Sequence, residues 1–336
     1  MAPERIVYAG VAKTDDEIRL ALASGILQLN VESVQELRRI GEIAAGMGKR
    51  APVALRVNPD VEAGTHAKIS TGRRHDKFGI PHDEVGAAFA MAARLEGVEP
   101  VGLHLHIGSQ ITRLAPFEAA YRLGVELFAG LRASGVPLRR LDLGGGFGVR
   151  YLDEPAIDVA AFAAMVRRLT RGLDCELLFE PGRALVAEAG VLLASVIYLK
   201  EAGGRRFLVL DAGMNVLIRP AMYDAYHAVV PVREPRAGEP LVAMDVVGPI
   251  CESSDVLGRD RRLPPLEPGD LVAITGAGAY GAVMASPYNS RPGAAEVMVE
   301  GDRCAVIRPR LEPALWFADE RIPAWLDRPP AAEGFG

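Results

Sequence analysis

Leu141-Asp142-Leu143-Gly144-Gly145-Gly146-Phe147-Gly148 is a short apolar run that stops in a cluster of glycines. Two other runs end in similar polar turns: Val101–His106 passes into Ile107-Gly108-Ser109-Gln110, and Leu177–Glu180 into Pro181-Gly182-Arg183. Upstream, Ile6–Ala9, Leu27–Val31 and Val53–Val57 bring such runs to six, and Asp15–Ser24, Glu32–Met47 and Pro116–Ala133 between them space apolar residues by three and four. β-type runs alternating with helical periodicity are the pattern of βαβ units, and so of a parallel sheet covered by helices. Six units fall short of the eight of a closed β/α barrel. Two readings remain: an open sheet with unpartnered edges, or a barrel with two strands missing.

From about residue 190 the rhythm changes. Val191–Glu201, Arg206–Asp211, Leu241–Gly248, Asp270–Thr275 and Glu296–Val299 follow one another across Gly, Pro and charged turns, which predicts a second, mostly antiparallel β domain. The expected organisation is a β/α domain over 1–190, a β domain over 191–322, and a loose tail over 323–336 rich in Pro, Gly and Ala.

Composition narrows the class of partner. The 336 residues carry 38 Lys and Arg against 43 Asp and Glu, a net charge of −5, so no basic field draws nucleic acid or an anionic membrane. Small-molecule partners are expected. No run of about 18 apolar residues occurs and the N-terminus has no signal-type core, which points to the cytoplasm. Cys175, Cys251 and Cys304 are too few and scattered for a disulfide framework or a zinc site, and no metal is expected. The lysines number only five: Lys13, Lys49, Lys68, Lys77 and Lys200.

The chemistry-bearing residues fall at the C-terminal ends of the β-type runs, where barrels place active sites and where the loops after the last two strands build phosphate cradles. Glycines there let backbone amides approach a phosphate without side-chain interference, although a glycine run serves equally well as a structural turn. Singly, His106 reads as a strand-end histidine and Glu180-Pro181-Gly182-Arg183 as a helix start with an internal ion pair. In the second domain, Cys251 is followed by Glu252-Ser253-Ser254-Asp255. A lone Cys is usually a small buried hydrophobe, but four polar neighbours suit a site at a domain edge, where a thiol can serve as proton donor or nucleophile.

As a set, these stretches resemble the diaminopimelate branch of the alanine-racemase-like (fold type III) pyridoxal-phosphate (PLP) dependent decarboxylases. The match runs from Ile6 to about Arg308 and includes Asn30-Val31-Glu32-Ser33, Arg56-Val57-Asn58-Pro59, and Thr71-Gly72 with Lys77-Phe78-Gly79-Ile80. Ornithine and arginine decarboxylases share the glycine run and Glu-Pro-Gly-Arg; the Arg219-Pro-Ala-Met-Tyr223 and Cys251–Asp255 stretches look like the diaminopimelate branch. The resemblance implies a (β/α)8-type PLP-binding barrel, about six of whose eight strands lie in this chain, followed by an antiparallel β domain. It implies decarboxylation of meso-2,6-diaminopimelate to L-lysine by a homodimer with shared active sites. Glu180 would face the pyridine nitrogen, where its charge favours the protonated ring and strengthens the electron sink. His106 would stack on the ring, and Ser109 with the amides of Gly144, Gly145 and Gly146 would hold the phosphate. Pro181, Gly182 and Arg183 would complete the cofactor turn, and Tyr280 would touch cofactor and substrate. Arg183, Arg219 and Tyr223 would bind the distal end of the substrate, a guanidinium matching a carboxylate two-pronged, and Glu252 its distal ammonium. Cys251 would deliver a proton from the partner subunit.

One feature departs from the family. Its Tyr-Ala-x-Lys stretch, at the end of the first barrel strand, supplies the lysine that joins PLP covalently, and this chain has no such stretch. Its first run, Ile6–Gly10, resembles the family's third strand, and Lys13 and Lys77 match other family positions. The expectation is a chain lacking roughly two strands and the residues before them, with no activity by itself. Half of a split enzyme, or a non-catalytic relative paired with an active decarboxylase, are the alternatives, with an ornithine, arginine or acyl-carrier-bound amino-acid decarboxylase. Intact Cys251, Glu252, Arg219 and Glu180 argue against a non-catalytic role, and a PLP-independent phosphate-binding barrel leaves Cys251–Asp255 unexplained.

Overall fold

The computed structural model describes residues 1–62, 71–72, 75–311 and 313–326; Lys68 and most of the expected loose tail lie outside them. The chain divides into two compact units, Met1–Glu188 and Ala189–Gly336.

In the first unit, strands β1 (Val7–Tyr8), β2 (Gln28–Val31), β3 (Ala51–Asn58), β5 (Val98–Leu105), β6 (Arg140–Gly145) and β7 (Glu176–Glu180) pair in sequence order, and β4 (Ile80–Pro81) pairs with β3. Every pairing is parallel. The strand that the runs do not show, β4, is two residues long and ends in proline, too short to carry a period. Between the strands lie α1 (Asp15–Ser24), α2 (Val34–Gly46), α3 (Val85–Ala92), α4 (Leu114–Ala133) and α5 (Val159–Leu169), and α6 (Gly182–Val186) follows β7. α1 starts on a capping box between Thr14 and Glu17 and stops at Gly25 in the left-handed region, φ 69°. The apolar faces of these helices and the strand side chains form one core, including Ile18, Leu37, Ile40, Leu55, Leu103, Phe117 and Phe128. Under the glycine turn that follows β6, Phe117, Tyr121, Phe147 and Phe162 pack ring to ring at centroid distances of 4.8–6.0 Å. The helix-to-strand approach is tight at Gly97, where a Cβ would come to 2.0 Å from the Gly41 carbonyl oxygen. β7 is an edge of the sheet, and Phe179 on it is 42% exposed.

In the second unit, β8 (Leu192–Ala202), β9 (Arg205–Leu210), β10 (Val229–Pro231), β11 (Val242–Val247), β12 (Val256–Leu263) and β13 (Leu271–Ile274) form one sheet in the order β10-β13-β8-β9-β11-β12. All neighbours are antiparallel except β9 and β11, which run parallel with Asp245 opposite Phe207. Leu208, Leu210, Val246, Val272 and Ile274 form the centre of its core. A separate hairpin joins β14 (Glu296–Glu300) to β15 (Arg303–Arg308). α7 (Arg219–Tyr223) follows β9 by a short turn, and α8 (Pro313–Trp316) comes after the hairpin. Both tryptophans of the chain, Trp316 and Trp325, belong to this unit.

Candidate active site

The C-terminal ends of β2, β5, β6 and β7 gather a polar cluster in the first unit. Parallel strands put these ends side by side, and each contributes an inward polar side chain: Asn30, His104, Asp142 and Glu180. Asn30 Nδ2 donates to Asp142 Oδ2 at 2.9 Å and to Glu180 Oε1 at 3.3 Å, and is itself oriented by Gln28 Nε2, which donates to Asn30 Oδ1 at 2.8 Å. The Gly144 amide donates to Asp142 Oδ1 at 3.0 Å. His104 Nε2 lies 3.5 Å from Glu180 Oε1, and His106 Nδ1 lies 3.6 Å from Glu180 Oε2 while accepting the Gly145 amide at 3.3 Å. Backbone contact is equally close: a Cβ on Gly145 would fall 2.0 Å from the Glu180 carbonyl oxygen.

Environment separates the two carboxyls. Burial, reinforced by the charge of Glu180, pushes Asp142 up to about 7 against the hydrogen bonds from Asn30 and Gly144. Burial also disfavours the charge on Glu180, but the imidazoles of His106 and His104 and the Arg56 guanidinium outweigh it and hold Glu180 down to about 2. His104, fully buried, is pushed down to about 3 by desolvation. At neutral pH the charge of the carboxyl pair is therefore concentrated on Glu180. The donor atoms of His104, Asp142 and Glu180 lie within 4.8 Å of one another, a spacing that could hold a metal ion. The Asn30 amide, however, directs its donor between the two carboxyls, where a cation would meet it head-on.

The surrounding groups fix the strand ends. Arg56 pairs with buried Glu32 at 2.7 Å and also donates to the His106 carbonyl at 3.1 Å. Arg183 donates to Tyr151 Oη at 2.7 Å and to Ser109 Oγ at 3.0 Å, so Ser109 and Arg183 meet directly. Glu180-Pro181-Gly182-Arg183 does open a short helix, but its arginine engages Tyr151 and Ser109, where an internal ion pair was the alternative. In the glycine turn expected to face a phosphate, the Gly144 amide donates to Asp142 and the Gly145 amide to His106, with Gly144 at φ 67°. Lys13, almost wholly buried, donates to the carbonyls of Gly10 and Asn30 and pairs with Glu36 at 2.8 Å; Lys49 donates to the Leu22 carbonyl.

In the second unit, Arg219 is buried at the start of α7 and donates to His227 Nε2 at 2.7 Å, while His227 Nδ1 donates to the Thr275 carbonyl at 2.8 Å. Tyr223, half-buried, ends the same helix. Cys251 and Glu252 are exposed in the turn between β11 and β12, and Tyr288 donates a short hydrogen bond to Glu252. Tyr280, 44% exposed, sits after β13 with φ 57°. A cavity of about 570 Å³ in this unit is lined by Glu201, Arg205, Met244, Asp245 and Asp260 and includes none of these loop residues.

Asn30, His104, Asp142, Tyr151 and His227 were not singled out from the sequence. The signal for the first three is available there: single polar residues inside otherwise apolar parallel-strand runs, where burial requires partners.

Residues 1–187 match the profile of the pyridoxal binding domain of pyridoxal-dependent decarboxylases, and the chain belongs to that family. Among curated relatives, it is 49% identical over 327 residues to the diaminopimelate decarboxylase of Zymomonas mobilis, covering 96% of this chain and 77% of the relative. With that of Vibrio cholerae it is 46% identical over 323 residues, again 96% and 77% of the two chains. The crystal structure of diaminopimelate decarboxylase from Helicobacter pylori complexed with L-lysine superposes with a TM-score of 0.91 at 42% identity, over 94% of this chain and 79% of that one. A Chlorella-virus arginine decarboxylase, 23% identical with a TM-score of 0.75, shares the fold. The first unit is thus the curled parallel sheet of a fold type III PLP barrel, and a separate β domain follows it.

Proposed function

We propose that the chain serves the PLP-dependent decarboxylation of meso-2,6-diaminopimelate to L-lysine, in lysine biosynthesis. The observation that carries this reading is Glu180, a carboxylate held well below the usual range at the strand ends beside His106, with Asp142 behind it pushed up by burial. That donor set fits a pyridine ring whose nitrogen must stay protonated, because an anion faces it. The likeness to diaminopimelate decarboxylases over 96% of the chain supports the choice of substrate.

In this reading Glu180 would hold the proton of the pyridine nitrogen, His106 would cover the ring, and Ser109, Arg183 and the turn of Gly144, Gly145 and Gly146 would hold the phosphate. When bound, PLP supplies an acceptor for the electron pair left at the α-carbon as CO2 departs. Arg219, aimed by His227, grips the distal carboxylate with Tyr223 beside it. Glu252, held by Tyr288, takes the distal ammonium, Tyr280 lies against substrate and cofactor, and Cys251 Sγ carries the proton that replaces CO2. The working assembly is a homodimer in which Cys251 serves the partner's site, and its compartment is the cytoplasm.

Titration with PLP and then with meso-diaminopimelate, ornithine and arginine, followed by CO2 release, tests the assignment. PLP binding weakened by Glu180→Ala and a preference for diaminopimelate are expected. Equal or better binding of ornithine or arginine refutes the substrate.

A further inference from the structure

The parallel pairing of β9 and β11 makes the turn after β9, which leads through Gly213 and Met214 to Arg219, and the turn after β11, which carries Cys251 and Glu252, leave the sheet at the same end. Asp255 lies between them, 3% exposed. Its Oδ1 accepts the Met214 amide at 2.6 Å and its Oδ2 accepts the Ile250 amide at 2.7 Å. Its own backbone closes the Cys251 turn, with Gly248 N donating to Asp255 O and Asp255 N to Glu252 O, both at 3.1 Å. Two glycines make the space: a Cβ on Gly213 or Gly248 would come within 2.7 Å of both carboxylate oxygens.

We propose that Asp255 is a positioning residue whose carboxylate registers the Cys251–Glu252 turn against the turn that presents Arg219 and Tyr223. The geometry is that of a clip. One carboxylate has two acceptor oxygens, and each oxygen takes an amide from a different loop. Buried amides left without an acceptor are costly, so each loop is held to the position at which its amide reaches Asp255. The placement of each of these two loops is then fixed by a residue that touches neither substrate nor cofactor. This inference rests on the substrate reading of those two loops.

An amide in place of the carboxylate can satisfy only one of the two donors, so the discriminating variant is Asp255→Asn, with Asp255→Ala beside it. Loss of a hydrogen bond of this kind corresponds to about tenfold faster amide exchange in peptides covering Met214 and Ile250. Alkylation of Cys251 should change relative to Cys304 in the same protein, and meso-diaminopimelate affinity should fall about tenfold with PLP affinity unchanged. Should either variant fail to fold, the unmodified protein still decides: the Met214 and Ile250 amides should exchange together, and independent exchange overturns the clip. Loosened loops with unchanged diaminopimelate affinity also overturn it, provided that the control Arg219→Lys weakens that affinity. If the control has no effect, the substrate reading of the loops has failed instead.

Discussion

Replacing Asp142 by asparagine tests the electrostatic design of the first unit. Asp142 titrates at about 7 in the folded protein, against an ordinary value of 3.8. A carboxyl whose folded value is raised binds more protons folded than unfolded between those limits, so its contribution to stability is complete below the unfolded value and is lost as pH rises towards 7. At about 1.4 kcal/mol per pH unit, the loss over that interval is on the order of 4 kcal/mol. Asparagine cannot ionise, so the variant lacks this slope. It pays a pH-independent penalty of roughly 1–3 kcal/mol, because its amide group cannot accept from both Asn30 and Gly144. Glu180 does not confuse the measurement, since its value near 2 places its own transition at lower pH. The assay is denaturant unfolding of wild type and variant from about pH 4.5 to pH 8.5, with the free-energy difference plotted against pH. The variant should gain on wild type steadily as pH rises towards 7 and then level off. A difference that stays flat across this range would mean that Asp142 is ionised in the folded protein, and the assignment of the cluster's charge to Glu180 would fall.

Cys251→Ala should leave PLP binding intact and slow turnover in an active assembly by about 100- to 10,000-fold, the usual contribution of a general acid; unchanged turnover removes Cys251 from the mechanism. Arg219→Lys keeps the charge but not the two-pronged geometry, so meso-diaminopimelate should weaken far more than PLP in parallel titrations; an equal fall in both would assign Arg219 to the cofactor. Borohydride reduction of PLP-treated protein followed by peptide mass analysis should find no pyridoxyl group on Lys13, whose ammonium is held by three acceptors. Gly97→Ala should destabilise the first unit by about 1–3 kcal/mol, since its Cβ would run into the Gly41 carbonyl; a thermal scan showing no loss would mean that the loop and α2 can separate without cost.

The strands and helices with the strongest periodicity were legible in the sequence because burial on one side leaves a regular trace. Asp15–Ser24 is a helix between the same residues as its pattern, helped by Thr14 and Glu17 at its start. β12 left no such trace: Arg259, Asp260, Arg261 and Arg262 interrupt it, and its place in the sheet comes from pairing with β11. Parallel pairing of β9 with β11 is a long-range choice that neither strand's composition encodes, which is why a mostly antiparallel domain was the natural expectation. At the site, glycine turns and strand-end polar residues announced themselves as motifs. The supporting set of Asn30, His104 and Asp142 did not, because each is a single polar residue whose meaning depends on which strand end lies next to it. The donation of the Gly144 and Gly145 amides to Asp142 and His106 was not legible either.

Placing both tryptophans in the second unit divides the spectroscopy of the molecule. Indole emission reports on Trp316 and Trp325 and is blind to the barrel sheet, whose intrinsic chromophores are Tyr8, Tyr121 and Tyr151. A melt followed by tryptophan alone therefore follows the second unit, whereas Asp142 lies in the first. Tyrosine absorbance, by contrast, draws on both units, since Tyr198, Tyr223, Tyr226, Tyr280 and Tyr288 lie in the second.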